Sequence, residues 1–395
     1  GGAGGAATAL PRDLGALLDS FLCLRLPHFI GNSVSTWSAL QIARRTSNTT
    51  WYNRGAIPLA GLLRAPYSVP IVWTHTEESS AVGKLMLQAS VLSALRHMPA
   101  SALHVLYHGR SDGAFRAWLA GHGVTVHHHH PAWRGEAERL RREGLVGTSF
   151  QRHRFLDSGD YFGTWQRIDA PLHVSAEYCL LLDSDTFFVR PVVFGDISSR
   201  SSGITPSLAF STDLFAGDPK PGNAGVTLMN LPFMRETLPA FRSFIFNRTS
   251  PVFMQGPAHH GAYLDFYGSA VELLTRRLGT KPWERDKKVW KSKLILHFNG
   301  LKPHDLLRFW LTGTCAPPKC YLIFSYDFRR YNKQCAFLQL WAEHASGSII
   351  EGYCQAALSD HALACVEFFR RLLALKREAA ADDCDTQQGQ QAASR

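Results

Sequence analysis

The apolar positions of residues 71 to 126 follow two periods in alternation. Short apolar runs predict buried strands, and apolar residues three or four positions apart predict helices. The predicted elements are, in order, a strand at Ile71–Thr74, a helix with Leu85, Ala89, Leu92 and Leu95 that ends at Pro99, a strand at Leu103–Tyr107, a helix at Gly113–Leu119 and a strand at Val124–Val126. This alternation predicts an α/β fold with a Rossmann-like, mostly parallel sheet and flanking helices. In such sheets, ligands bind at the carboxyl ends of the strands.

The next predicted strand, Tyr178–Leu182, ends in the sequence Asp183-Ser184-Asp185. Two carboxylates at positions i and i+2 of a strand end project to the same side once the chain turns. Together they form a hard oxygen site suited to Mn²⁺ or Mg²⁺. The alternative is a simple turn, for which aspartate and serine are common residues. The apolar run before the pair, and Thr-Phe-Phe-Val-Arg-Pro after it, favour the metal site.

Three segments follow from the composition along the chain. Residues 1–68 comprise a Gly/Ala-rich start, expected to be disordered, and a short compact pattern. Residues 69–310 carry the predicted sheet domain, and residues 311–395 form a cysteine-rich tail. The tail holds six of the eight cysteines, which are Cys315, Cys320, Cys335, Cys354, Cys365 and Cys384. It is predicted to contain at least two disulfides and to end in an amphipathic helix, with Cys365, Phe368, Phe369 and Leu372 on one face.

Charge and targeting signals narrow the class of protein only a little. The 395-residue chain has a net charge of +10, but its basic residues are spread out and form no stripe interleaved with aromatic residues, so a nucleic-acid partner is not expected. The sequence contains no apolar run of 18 residues, so any membrane attachment would require a segment absent from this chain. Because the chain begins at Gly1, we expect a fragment or the remainder of a longer precursor. The cysteines and the sequons at Asn48 and Asn247 favour the Golgi or ER lumen over the cytoplasm.

Four motifs, in order, resemble those of glycosyltransferase family eight, the glycogenin and galactosyltransferase-like group. They lie within residues 71 to about 310 and are Gly163–Pro171 (GTWQRIDAP), Leu182–Pro191 (LDSDTFFVRP), Gly222–Leu231 (GNAGVTLMNL) and His297–Pro303 (HFNGLKP). The resemblance implies a GT-A fold and a nucleotide-diphosphate sugar donor, usually a UDP-sugar. It also implies a glycan or glycoprotein acceptor.

The resemblance also implies roles for individual residues. Asp183, Asp185 and His297 would hold the metal, since neutral imidazole suits Mn²⁺ beside two carboxylates. Lys302 would contact the diphosphate as a point charge and would act with the two aspartates in catalysis. Gly300 would let the backbone approach a phosphate. The residues expected around the rest of the donor are Thr74, Thr76, Arg167, Asp169, Asn223, Gly225, His259 and His260.

Two positions depart from the family pattern. The family usually has Asp-Gln-Gly before a helix, where the aspartate contacts the donor sugar, and this chain has His259-His260-Gly261 there. The family also tends to stack an aromatic residue on the base, and Ser80 stands where we place that residue. A separate run of four histidines, His127–His130, is not expected to bind metal, because adjacent residues of a strand point to opposite faces.

The first segment resembles a different family. Leu18–Cys23, Phe29–Ser38 and Arg44 are similar to the closing motif of protein O-fucosyltransferases, in which Asn32, Ser35 and Thr36 would match the turn that meets a GDP diphosphate. A turn of small residues that opens a helix is an anion site. The match covers about 55 residues, too few for that family's GT-B fold, so we expect a remnant without activity, or a simple helix cap.

The sequence therefore predicts a metal-dependent hexosyl- or pentosyltransferase that acts with retention, by a front-face mechanism. The alternative is an inactive module that binds a nucleotide sugar or a glycan, motivated by His259 and His260. A phosphatase of the haloacid dehalogenase kind also uses Asp-x-Asp at a strand end. That signature requires Thr or Val two places after the second aspartate, and Phe187 stands there.

Overall fold

A computed structural model describes residues 29–31, 49–51, 69–142, 163–197, 207–212, 222–246, 253, 258–281, 287–314 and 331–378. The chain divides into two compact units, one of Gly1–Ala65 with Val193–Thr205 and one of Pro66–Val192 with Pro206–Arg395. In the smaller unit, strand β1 (Phe29–Gly31) pairs in parallel with strand β2 (Thr49–Trp51), and Phe194–Ile197 form a single helical turn. The O-fucosyltransferase-like residues Asn32, Ser35 and Thr36 lie outside the described residues.

A mostly parallel sheet forms the centre of the larger unit. The strands of this unit are β3 (Ile71–Thr76), β4 (Leu103–His108), β5 (Val124–His128), β6 (Tyr178–Leu182), β7 (Thr186–Phe188), β8 (Leu208–Ser211), β9 (Asn223–Asn230), β10 (Val271–Leu274) and β11 (Ile295–His297). Seven of them make one sheet in the order β10-β8-β9-β6-β3-β4-β5. Strands β3 to β6 are parallel, β9 is antiparallel to both of its neighbours, and β10 is parallel to β8. The predicted α/β fold is confirmed.

The helices of the larger unit flank this sheet. They are α1 (Ala81–His97), α2 (Gly113–Gly121), α3 (Arg134–Arg142), α4 (Leu231–Phe246), α5 (Ala258–Tyr267), α6 (Pro303–Thr312), α7 (Tyr331–His344), α8 (Gly347–Ala357) and α9 (Ala362–Glu378), with short helical turns at Ala170–His173 and Lys287–Lys291. Four-residue or shorter 3₁₀ turns occur at Gln166–Asp169, Gly268–Ala270, Arg276–Gly279 and Ser359–His361. None of the helices in the described part of the chain combines the length and apolar character that crossing a bilayer requires.

The predicted strand and helix pattern over residues 71 to 126 is confirmed. Ile71, Val72 and Trp73 of β3 are fully buried, as expected of a strand covered on both faces. Helix α1 begins after Ser80, whose hydroxyl accepts a hydrogen bond from the Gly83 amide at 3.1 Å. It ends before Pro99, which cannot continue a helix. The sheet therefore presents the ends of β3 and β6 side by side.

Among the described residues, two large hydrophobic clusters lie in the larger unit. One joins sheet residues such as Val72 and Leu181 to Phe241 of α4 and Tyr263 of α5. The other joins α1 to the cysteine-rich tail, and it includes Met86, Ala89, Leu296, Phe298, Trp341, Tyr353, Phe369 and Leu372. The described part of the tail is helical, and its last helix, α9, buries Cys365, Phe369 and Leu372.

One disulfide links two tail helices. Cys354 of α8 is bonded to Cys365 of α9, with their Cα atoms 5.6 Å apart. Cys179 of β6 is a free thiol that is fully buried, and its burial raises the pKa to about 12. Cys315, Cys320 and Cys384 lie outside the described residues. The prediction of at least two disulfides in the tail stays a prediction beyond this one bond.

Candidate metal centre

Asp183 and Asp185 lie in a tight turn at the carboxyl end of β6. The Asp183 amide donates to the Gly225 carbonyl at 2.8 Å, which continues the pairing of β6 with β9 for one more residue. The carbonyl of Asp183 accepts from both the amide and the hydroxyl of Thr186, at 3.2 and 2.7 Å. Asp183-Ser184-Asp185 is therefore both a turn and a carboxylate pair, because the turn brings both carboxylates close to His297.

His297 reaches the pair from a second strand. It ends β11, which pairs with β7 so that His297 lies opposite Thr186. Its Nε2 is 3.6 Å from Asp183 Oδ2 and 3.4 Å from Asp185 Oδ1, and the three candidate ligand atoms all lie within 4.8 Å of one another. An octahedral ion with bonds of about 2.1 Å separates adjacent ligand atoms by about 3 Å and opposite ones by about 4 Å. Two oxygens and one imidazole nitrogen at this spacing therefore fit a divalent ion.

Each carboxylate uses its other oxygen to bind a cation of the protein. Lys302 Nζ contacts Asp185 Oδ2 and donates to the Phe298 carbonyl at 2.9 Å. Arg167 Nη2 donates to Asp183 Oδ1 at 2.5 Å. The oxygens that remain are the two that face His297. These contacts therefore orient one oxygen of each aspartate toward a common point.

The ion pair with Lys302 controls the charge of Asp185. Burial raises the pKa of the Asp185 carboxyl, but the Lys302 ammonium and His297 outweigh burial and hold this pKa well below its ordinary value. Burial likewise lowers the pKa of Lys302, and the Asp185 carboxylate overcomes this, so the pKa is raised. Asp185 is consequently an anion and Lys302 a cation at neutral pH.

Gly300, two residues before Lys302, has a φ of +83°, a backbone conformation that favours glycine.

Gly225 leaves the space that these side chains occupy. A Cβ atom at this position would lie 2.2 Å from His297 Cε1 and 2.7 Å from Asp183 Oδ2. The Gly225 amide donates to Asn223 Oδ1 at 2.8 Å, which places the Asn223 side chain beside the same group. The structure thus brings both residues of the Asn-Ala-Gly-Val motif to the aspartates, where Gly225 packs directly against two candidate metal ligands.

Arg167 and His259 form a buried pair next to Asp183. Arg167 Nη1 donates to the Ala224 carbonyl at 2.6 Å and lies 3.2 Å from His259 Nε2. Burial, and then the Arg167 charge, lower the pKa of His259 well below its ordinary value, so this ring is neutral and its Nε2 accepts. His259 Nδ1 and Arg167 Nε are buried nitrogens with no hydrogen-bond partner among the described residues. Buried polar atoms without a partner are uncommon in folded proteins, and bound water or a ligand can satisfy them.

Two other predicted residues, His260 and Asp169, lie in different surroundings. The ring of His260 packs on Phe210, with centroids 5.5 Å apart. Asp169 is buried and bonds to His129 Nε2, Trp133 Nε1 and Arg242 Nη2 at 2.9, 2.8 and 2.7 Å. Burial raises the pKa of Asp169, but these bonds to His129 and Arg242 lower it further than burial raises it. Asp169 therefore belongs to a separate buried network, although Arg167 lies two residues before it.

The residues predicted on β3 lie at the same sheet edge as the aspartates. Trp73 pairs with Leu182, so Thr74 and Asp183 are the next residues of two neighbouring parallel strands. Thr76 is buried, and its hydroxyl accepts from the Glu78 amide at 3.4 Å. Ser80, at the position expected for a base-stacking aromatic, caps helix α1 instead.

The four histidines of His127–His130 separate to different partners. His127 Nε2 is 3.0 Å from His104 Nδ1, and His128 Nε2 is 3.4 Å from Arg116 Nη1. The ring of His130 packs on His108, while His129 is buried against Asp169. The sequence did not reveal the contact of His129 with Asp169, because four identical residues in a row do not show which of them is buried.

Comparison with known proteins gives only weak similarity. No protein-family model matches the sequence, and no curated protein matches it. Among solved structures, an active-site mutant of LgtC shares 16% identity over 59% of this chain and 88% of its own, with a TM-score of 0.41. The apo form of the glycosyltransferase GlyE from Streptococcus pneumoniae TIGR4 shares 14% over 58% and 54%, with a TM-score of 0.38. Mouse xyloside xylosyltransferase 1 shares 12% over 60% and 99%, with a TM-score of 0.37. All three similarities are too low to assign a function to this chain.

Proposed function

We propose that this chain is a glycosyltransferase that uses a metal-bound nucleotide-diphosphate sugar. The observation that carries the proposal is the convergence of Asp183, Asp185 and His297 at the carboxyl edge of a mostly parallel sheet. One oxygen of each aspartate binds a cation of the protein, and the other oxygen faces His297. Hard oxygens and one imidazole suit Mn²⁺ or Mg²⁺. Such an ion would supply neutralisation of the negative charge on a diphosphate leaving group.

The chain's own residues account for the remaining requirements of this chemistry. Lys302 is a fixed positive charge beside Asp185, suited to a phosphate oxygen. Arg167 fixes Asp183, and its buried Nε is a further donor without a partner among the described residues. We also propose transfer with retention, in which the acceptor hydroxyl attacks from the face that the nucleotide leaves.

The finer points of the proposal follow from the motifs. We propose a UDP-sugar as donor, Mn²⁺ as the preferred ion, a glycan or glycoprotein hydroxyl as acceptor and the lumen of the Golgi or ER as the location. The tail disulfide supports an oxidising compartment. The donor sugar, a hexose or a pentose, would be chosen at the edge that carries Asn223 and His259.

Calorimetric titration with UDP tests the metal centre. UDP should bind the wild-type protein at least about tenfold more tightly with Mn²⁺ than with EDTA. Asp185→Ala should abolish this difference, whereas the exposed Asp360→Ala should retain it. Equal UDP affinity of the wild-type protein in Mn²⁺ and in EDTA would refute the metal centre.

A second candidate function is an inactive module that binds a nucleotide sugar. It is favoured by one observation: His259 is neutral and its Nε2 accepts from Arg167, so this side chain has no free acceptor for a sugar hydroxyl. A hydrolysis screen across nucleotide sugars with Mn²⁺ separates the two functions. We expect turnover by the wild-type protein and a change in donor preference in His259→Asp. Mn²⁺-dependent binding without hydrolysis or transfer by either protein would establish the binding module.

A further inference from the structure

The 3₁₀ turn Gln166–Asp169 connects the metal centre to a second buried site. Arg167, inside the turn, extends to Asp183 and the Ala224 carbonyl. Gln166 and Asp169, on either side of it, both bond to His129, the residue that follows β5. One histidine ring therefore bridges the two residues that flank the arginine.

The hydrogen bonds of Gln166 fix the direction of its amide. Its Nε2 donates to the His75 carbonyl at 3.1 Å. The reverse orientation would place two acceptors against each other, so Oε1 must be the atom that faces His129. Gln166 Oε1 lies 3.0 Å from His129 Nδ1 and is an acceptor only. His129 Nδ1 must therefore carry a proton.

The other ring nitrogen faces a carboxylate. His129 Nε2 lies 2.9 Å from Asp169 Oδ2, which also accepts from Trp133 Nε1. Asp169 is an anion, because its pKa is lowered despite burial. His129 Nε2 must then also donate. With acceptors on both sides, the geometry requires the imidazolium form of His129.

Burial separates the charges of His129 and Asp169 from solvent. His129 is 3% exposed and Asp169 is 1% exposed, so neither charge is compensated by water. Arg242 Nη2 occupies the second oxygen of Asp169, and the ring of His173 lies edge-on to His129 with centroids 5.0 Å apart. The network thus contains one anion between two cations.

We propose that His129 is a positioning residue: as a buried imidazolium, it holds the Gln166–Asp169 turn at two points and thereby fixes Arg167 on Asp183. A neutral ring could donate to only one of the two flanking residues, and its unprotonated nitrogen would then face the acceptor oxygen of the other. The consequence for metal binding rests on the proposed function, whereas the protonation of His129 does not. Arg167 in turn leaves Asp183 Oδ2 free to face His297.

Nuclear magnetic resonance tests the protonation directly. In protein labelled with ¹⁵N at its histidines, long-range ¹H–¹⁵N correlation at pH 7 should show both ring nitrogens of His129 protonated. The His129→Phe spectrum identifies the signal by its loss. A neutral ring, with one nitrogen unprotonated, would overturn the proposal whatever the variants do.

A double-mutant cycle on Mn²⁺ affinity tests the positioning role. By calorimetry with Mn²⁺ alone, His129→Phe should weaken binding roughly tenfold while circular dichroism stays unchanged. In an Arg167→Ala background, His129→Phe should cause no further loss, because His129 acts through Arg167. The control His122→Gln, at the half-buried histidine that follows α2, should bind Mn²⁺ like the wild-type protein.

Two results of the cycle would contradict the positioning role. One is unchanged Mn²⁺ affinity in His129→Phe, and the other is an equal loss with and without Arg167. If His129→Phe does not fold, His129→Gln takes its place, since one amide can replace only part of the bridge. Wild-type protein that binds no Mn²⁺ would refute the proposed function and the role of Arg167 together, while the resonance experiment would still decide the state of His129.

Discussion

At the scale of single residues, an absent side chain decides whether the metal ligands can meet. Gly225 packs against His297 and Asp183 so closely that a methyl group would overlap both. Gly225→Ala should therefore lower Mn²⁺ affinity at least about tenfold, because His297 must move and its Nε2 leaves the common point. Calorimetry with Mn²⁺ measures the effect.

A matched control exists in helix α2. A Cβ at Gly121 meets nothing within 4 Å, so Gly121→Ala should leave Mn²⁺ affinity unchanged. Wild-type affinity in Gly225→Ala would show that the ion, where one binds, does not use His297 and Asp183 together.

The same scale shows what sequence reasoning could reach. Asp183, Asp185, His297 and Lys302 were predicted as a group from motif order, and the structure brings them together. Asp169 was expected near the donor, and the structure shows it bonded to His129, Trp133 and Arg242. The direction of the Asp169 side chain depends on its partner His129, which lies 40 positions away in the sequence.

At the scale of elements, helix α1 depends on the capping residue that precedes it. The Ser80 hydroxyl accepts from the Gly83 amide and so satisfies one of the unpaired donors at the helix start. Ser80→Ala should lower the free energy of unfolding by about 1 kcal/mol. Urea denaturation measures this, with Ser79→Ala as the neighbouring control. A loss in Ser79→Ala as large as in Ser80→Ala would contradict the capping role.

Strands and helices with a clear local period were predicted well, and their partners were not. The run Tyr178–Leu182 was predicted as a strand, and β6 has the same bounds. The reversal of β9 against β6 was not predicted, because strand direction depends on pairing between distant segments. The tail helices α7 and α8 were not predicted, because the cysteine pattern of this segment indicated disulfides and was not read as a helical period.

At the scale of the whole molecule, the tail and the sheet domain share one core. The sequence placed a boundary near residue 311, and in the structure Trp341, Tyr353 and Phe369 belong to the same cluster as Met86 and Phe298. Tyr353 also accepts from the His304 amide at 3.1 Å, which joins α8 to the first turn of α6. The helix that begins after Lys302 is therefore supported by the tail.

The Cys354–Cys365 bond should contribute to the stability of this shared core. It closes a loop across a sequence separation of 11 residues, and replacing both cysteines with serine should lower the free energy of unfolding by about 2–4 kcal/mol. Chemical denaturation of oxidised wild-type protein and of the double variant measures the difference. In reductant the difference should shrink sharply, and an undiminished gap there would assign the loss to packing.

The metal centre can form only when the antiparallel strand β9 has its native register with β6. Leu182 pairs with Val226, and the Asp183 amide then bonds to the Gly225 carbonyl. A slip of one residue would bring Ala224 or Val226 to this place, each with a Cβ where none fits. Mn²⁺ capture during refolding would consequently mark the moment when β9 reaches its native alignment. Far-UV circular dichroism reports strand content whatever the register, so it would give no such signal.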